Sequence, residues 1–489
     1  MTPFIGYAPD LDPQTPGIIL DCNGVVPSVK GFKAAPAPIA TGLPALAAAC
    51  YGSASMRKTD DTTRIFAGTA SHLYEGSTTS WTDRSGTISG LGTNQRWRFA
   101  QFGDSILAAA KSEIVNFLDS ATTFAACTTT APKCGSIESV NNFVIGFDVN
   151  DQGALFDSAN RPDGWWCAAK GGFGDWNPSI TTEAATGTLK ETPGKITGGR
   201  KFGYQCVAYK INAMYLGTYV GQPVIWDWQL IPGAAGALSH ESIVNVGTPK
   251  NPKHIFMGLD NFYEFSGSVA VPIGNPLREK VFGELNVQYY YAAQALHDAK
   301  NKRVYFFYPT LDQITPDKCV VYNYLTGKWG RDDRTIEAVM DYLSTGMTYA
   351  QLGTYYTTYA DLPASPYDTA FTVQGVAVPA VFDTTHLINT LSGTNSSSYI
   401  TPGTGGDGVN FFTLSRVIPW FLNAPTTATF THYYRNVLSD SYTTGQTVSI
   451  SSGRFDLLQS ARWHSGRLDM TGDYEITGMQ PTLTPDGEE

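Results

Sequence analysis

Residues 64–76, RIFAGTASHLYEG, and residues 254–267, HIFMGLDNFYEFSG, follow one pattern. In both, Ile-Phe-x-Gly runs through a polar turn into Leu/Phe-Tyr-Glu. Phe66 then matches Phe256, Gly68 matches Gly258 and Tyr74 matches Tyr263, with one residue fewer in the second turn. Two short apolar runs flanking a turn read as a β-hairpin. Looser versions recur at residues 96–124, 141–148 (NNFVIGFD), 202–230, 303–329 and 380–393 (AVFDTTHLINTLSG). A small sheet cannot bury both apolar faces alone, and closing several into a ring stacks the faces and shortens the exposed edges. The repeats therefore predict a β-propeller-like unit, with a β-sandwich of long hairpins as the competing architecture. Their uneven spacing leaves the number of blades open.

Composition points the same way. The chain has 489 residues, with 49 glycines, 28 prolines, 12% aromatics and 16% charged residues. That balance favours turns and strands over long helices, and the length suits two or three units. The fold class expected is all-β. Helix is expected only at residues 43–50 (LPALAAAC), for a turn or two, and at residues 275–285, where Asn275-Pro276 sets proline at the first helical position. A Ser/Gly-rich break at residues 395–408 (NSSSYITPGTGGDG) separates the repeats from a final stretch of alternating apolar and polar residues. The division expected is a propeller-like domain at 51–402, a C-terminal β platform at 403–489, and an N-terminal segment, 1–50, that packs with that platform or extends along a neighbouring subunit.

Lys and Arg total 33 against 43 Asp and Glu, a net charge of −10, and no basic run could neutralise successive phosphates. Tight non-specific DNA binding is disfavoured. The seven cysteines (Cys22, Cys50, Cys127, Cys134, Cys167, Cys206, Cys319) are scattered and odd in number, so they read as buried thiols of a reducing compartment, Cys127 and Cys134 being the one pair considered for a bridge. Residues 1–10 lack the basic and apolar regions of a signal peptide, and no run of about eighteen apolar residues occurs, so a soluble protein is expected.

Motifs that carry chemistry are thin. Gly403-Thr-Gly405-Gly-Asp-Gly408 matches G-x-G-x-x-G but leads into the strand-like Phe411-Phe412-Thr413-Leu414, which favours a flexible linker over a phosphate loop. Asp148-Val-Asn150-Asp-Gln-Gly153 opens like a calcium loop, yet Gln152 stands at a ligand position and Ala159 where the bidentate Glu belongs. His240-Glu241 lacks the second histidine of a zinc protease, and His72, His240, His254, His297, His386, His432 and His464 nowhere stand at ligand spacing, so they read as isolated. No nucleophile elbow and no P-loop lysine occurs. Asp83, Asp104, Asp148, Asp175, Asp260 and Asp298 lie near strand ends, where a glycosidase would place paired carboxylates and where ordinary turns also place acids. Trp165, Trp166, Trp176, Trp226, Trp228 and Tyr289 to Tyr291 read as sugar-stacking platforms or, preferably, as blade cores and subunit contacts. No catalytic, cofactor-binding or metal-ligating residue is assigned, and no cofactor is expected.

The chain resembles the tail nozzle proteins of short-tailed phages, also described as tail tubular protein B or packaged-DNA stabilisation proteins. Residues 64–76, 96–105 (RWRFAQFGDS), 174–179 (GDWNPS), 216–228 (LGTYVGQPVIWDW), 261–274 (NFYEFSGSVAVPIG), 302–329 and 461–489 carry the likeness, in family order. It implies a homohexameric ring in the virion tail, below the portal and adaptor, made in the host cytoplasm. The ring would conduct ejected DNA, help retain packaged DNA, anchor tail fibres or spikes and meet the host envelope at its tip. The family often closes on a basic residue, whereas this chain ends Asp486-Gly-Glu-Glu489. It supplies no catalytic residue to carry over. The acidic balance suits a conduit, because each basic contact to a phosphate adds affinity through counterion release. The alternatives are a glycan-binding or glycan-cleaving propeller of a receptor-binding tail protein and a cellular interaction scaffold.

Overall fold

The computed structural model describes residues 2–150, 160–343, 377–395 and 397–487. The chain is all-β, and its centre is a ring of antiparallel blades. The inner strands are Ser53–Arg57, Arg98–Phe102, Lys133–Val140, Ile196–Phe202, Ile243–Asn245, Gln294–Asp298 and Ala338–Leu343. They adjoin in chain order, and the last lies against the first, so the ring has seven blades. Blades 1, 4, 5 and 7 are separate four-stranded sheets. Blades 2 and 3 are linked by the pairing of Ile114 with Lys133, and blade 6 continues through Arg331 and Val25 into a second unit.

The two quoted repeats are the second and third strands of blades 1 and 5, Thr63–Gly68 with Leu73–Gly76 and His254–Met257 with Phe262–Phe265. Phe66 and Phe256 are fully buried. Phe66 meets Phe124 of blade 2 edge-on at 6.1 Å, and Phe256 meets Tyr209 of blade 4 at 5.1 Å. A residue that recurs in sequence thus fills the space between neighbouring blades. Separate apolar clusters occupy each of the seven inter-blade spaces, as ring closure requires. The seventh blade is completed from the other end of the chain, by Ala37–Ala40 pairing with Ile388–Gly393.

The second unit is a β-sandwich made by both chain ends. One layer carries Phe32–Ala34, Glu475–Gly487, Phe411–Asn423 and Phe455–Ala461, and continues into blade 6. The other carries Gly6–Tyr7, Ile18–Asn23, Ser398–Pro402, Trp463–Thr471, Thr427–Arg435 and Thr443–Ser449. Phe430 and Phe455 meet between the layers with ring centroids 5.7 Å apart. One apolar core joins the sandwich to blades 5 and 6, running through Phe4, Phe32, Phe262, Phe306 and Trp329.

Helix forms at Asn275–Leu277 and Arg278–Glu284, where proline opens the turn as expected. Residues 43–50 are not helical. Leu43 and Leu46 are buried between blades 7 and 1, and backbone groups that a helix would use internally are drawn outward. The Leu46 N–H donates to His386 O at 3.1 Å and the Cys50 N–H to Glu337 Oε2 at 2.8 Å. The expected flexible linker at Gly403 to Gly408 is likewise corrected. Gly405 and Gly406 pair with His464 and Trp463, and the Thr404 N–H donates to Pro13 O at 2.7 Å. An added Cβ at Gly406 would stand 2.1 Å from Arg462 O, so glycine there serves close packing.

Candidate functional site

The inner strands enclose an axial cavity of about 420 Å3. Its wall is polar, because inner strands present alternate residues to the axis while their partners face the blade cores. Blade 2 contributes Arg98, blade 3 Glu138, blade 4 Arg200 and blade 7 Asp341, with His240 and Glu241 at the approach to blade 5. Arg98 is 8% exposed, and its Nη2 lies 2.5 Å from Glu241 Oε2. Burial brings its guanidinium down to about 10, with Glu241 acting in the opposite direction. Arg200 Nη1 stands 3.6 Å from Glu138, whose carboxyl is pushed up by burial against the pull of Arg200. Asp341 is open to the cavity yet ringed by protein, and desolvation pushes it up to about 6, again against Arg200.

The face on which the inner strands begin is crossed by the 3-10 segment Val287–Ala292. Tyr291 there donates to Asn94 Oδ1, ahead of blade 2, at 2.7 Å, and Lys195, ahead of blade 4, lies over the Tyr290 ring at 5.7 Å. The tyrosine run therefore spans between loops of different blades, which is a packing role. Trp165, Trp166, Trp176 and Trp226 are buried within and between blades 2, 3 and 4, and Trp228 is half-buried among them. Trp166 Nε1 donates to Trp176 O at 2.7 Å.

The six acidic candidates act locally. Asp83 accepts from the Ser85 N–H at 2.8 Å, Asp104 from the Thr59 N–H at 2.7 Å, Asp175 from the Asn177 N–H at 3.0 Å and Asp298 from the Asn301 N–H at 3.0 Å. Tyr263 donates to Asp260 at 2.8 Å, and Lys111 Nζ lies 2.6 Å from Asp148. The remainder of the calcium-like loop, from Asp151 to Ala159, lies outside the described residues. Among the described residues no group of three or more His, Cys, Asp or Glu is placed to hold a metal ion. The seven cysteines are free thiols, Cys127 and Cys134 included.

Sequence reading misses one pairing altogether. His432 and His464, read as isolated, sit on the neighbouring sandwich strands Thr427–Arg435 and Trp463–Thr471, with His432 Nε2 3.0 Å from His464 Nδ1. His464 Nε2 lies 2.8 Å from Phe412 O, a carbonyl, so that nitrogen carries a proton. Its Nδ1 then accepts from His432 Nε2–H, leaving His432 Nδ1 unprotonated and without a partner. Burial, with His464 adding to it, holds His432 down at about 4. In the unfolded chain a histidine titrates near 6.5. Between those values the unfolded state binds the extra proton, so stability is complete above about 6.5 and falls as pH drops toward 4. We expect His432→Gln to remove much of the acid sensitivity in that window, on the order of 2 kcal/mol, as read by thermal unfolding at pH 7.5 and 4.5. An unchanged pH dependence would contradict the assignment.

Fold and site together define a seven-bladed β-propeller with an ion-paired axial cavity, carried on a β-sandwich. No known protein family matches the chain, and no curated protein matches it. Among solved structures it is similar to "YCF48 bound to D1 peptide", at 11% identity and a TM-score of 0.38, covering 75% of this chain and 99% of that one. It is also similar to YCF48 from Cyanidioschyzon merolae, at 9% identity and a TM-score of 0.37, covering 73% and 97%. A likeness of this depth carries no argument about function.

Proposed function

We propose that this chain is a structural component of a short phage tail, a nozzle subunit that acts by assembling into a ring around a DNA conduit. The reading rests on the ordered sequence resemblance. The observation that favours assembly is the apolar surface of the sandwich, where Trp420, Leu422, Leu438 and Leu458 are 42%, 56%, 62% and 72% exposed. Exposed apolar side chains in number mark contact surfaces. The conduit in this reading lies between subunits. A cavity of about 420 Å3, crossed by ion pairs, has no room for a duplex whose major groove alone is about 12 Å wide. Portal or adaptor, fibres or spikes, and passing DNA are the partners this role requires, and no catalytic chemistry enters it.

Mass photometry and negative-stain microscopy of the full chain, alone and with its adaptor, test the proposal. Closed rings are the expected result, and Leu438→Asp with Leu458→Asp should abolish them while leaving the thermal midpoint near that of the parent. A chain that stays monomeric with its adaptor present would sink the reading.

A further inference from the structure

The axial cavity holds charges that the protein itself leaves incompletely matched. Arg98 is more than nine-tenths buried, and its Nε has no acceptor; the Nε of Arg200 is in the same position. Glu241 Oε2 lies at ion-pair distance from Arg98 but forms no well-aligned hydrogen bond. Across the axis, Asp341 opens onto the cavity from the inner strand of blade 7. Two guanidinium groups thus face three carboxylates, Glu138, Glu241 and Asp341, in one confined space.

That arrangement selects among ligands. A simple anion would satisfy the free guanidinium edges but meet three carboxylates in a poorly solvated space, where like charges repel strongly. A simple cation would match Asp341 yet leave both Nε groups unpaired, at a cost of about 1–3 kcal/mol each for buried polar atoms. A molecule bearing an acceptor anion and a donor cation on a compact frame satisfies both sides. The cavity volume of about 420 Å3 falls within the roughly 300–1,000 Å3 of ordinary small-molecule sites.

We propose that the propeller axis binds a small zwitterion of the amino-acid type, its carboxylate toward Arg98 and Arg200 and its ammonium toward Asp341. The site lies within one subunit and does not depend on ring assembly.

The test is calorimetric titration and thermal shift on the full chain at pH 7.5 with a panel of zwitterionic L-amino acids, and with acetate and methylammonium as carriers of one charge each. At least one amino acid is expected to bind and raise the midpoint, while acetate and methylammonium do not. Asp341→Asn, nearly isosteric and open to the cavity, should weaken that binding tenfold or more without lowering the midpoint of the free protein. Arg200→Met should weaken it similarly. Failure of every amino acid to bind, equal binding by acetate or methylammonium, or unchanged affinity in Asp341→Asn would each overturn the proposal.

Discussion

Replacing Arg98 by alanine is expected to destabilise the propeller by about 3 to 5 kcal/mol, the range seen when one partner of a buried ion pair is removed. The cost does not come from the lost attraction alone. Arg98 and Glu241 are both largely withdrawn from solvent, and Arg98 lies on the inner strand of blade 2 while Glu241 leads into blade 5. Without the guanidinium, Glu241 is left in the wall with its charge uncompensated. The double change Arg98→Met with Glu241→Leu should therefore recover most of the loss, because an apolar pair of similar volume removes both desolvation penalties. Urea unfolding of the four proteins in a double-mutant cycle reads the effect. A single Arg98→Ala within about 1 kcal/mol of the parent would show that the pair is solvated and contributes little.

Phe32→Ala carries the second large expected effect, about 3 to 5 kcal/mol, the usual range for deleting a buried phenylalanine side chain. Phe32 is fully buried, meets Phe4 edge-on at 6.2 Å and pairs through its backbone with Ile476. It stands where the N-terminal segment, the last strand and blade 6 share one core. The neighbouring Gly31 shows how little slack that junction has, since a Cβ there would lie 2.2 Å from Ile476 O. Thermal unfolding of Phe32→Ala should show the lower midpoint, together with faster proteolysis near the chain ends, because the first forty residues also supply the closing strand of blade 7. A midpoint within a degree or two of the parent would mean that the ends are not integral to the folded unit.

Much of the architecture is legible in local pattern. The hairpin at residues 64–76 announces itself because both its strands and its turn lie within thirteen residues, and Phe66 recurs as Phe256 because each fills the same kind of inter-blade space. The short helix after Asn275 is equally local. Residues 43–50 mislead for the opposite reason. Their alanines favour helix, but Leu43 and Leu46 are claimed by a core built from blades 7 and 1, and tertiary burial outweighs propensity. Gly405 and Gly406 read as linker because nothing nearby shows that His464 and Trp463 will pair with them.

The axial site is less legible. Glu241 stands out in sequence only beside His240, as half of a zinc motif that does not complete, while its partner Arg98 lies 143 positions away. His432 and His464 are 32 apart and meet only because two sandwich strands pair in one particular register. What the sequence determines by itself is what repeats or is contiguous: the all-β class, the hairpin unit, the strongly apolar strands and the overall acidic balance. What the tertiary structure decides is the closure of seven blades by residues 37–40, the sharing of one core by both chain ends, and which charges face the axis. Those features depend on contacts between residues hundreds of positions apart, whose energies are settled only when ring closure brings them out of water together.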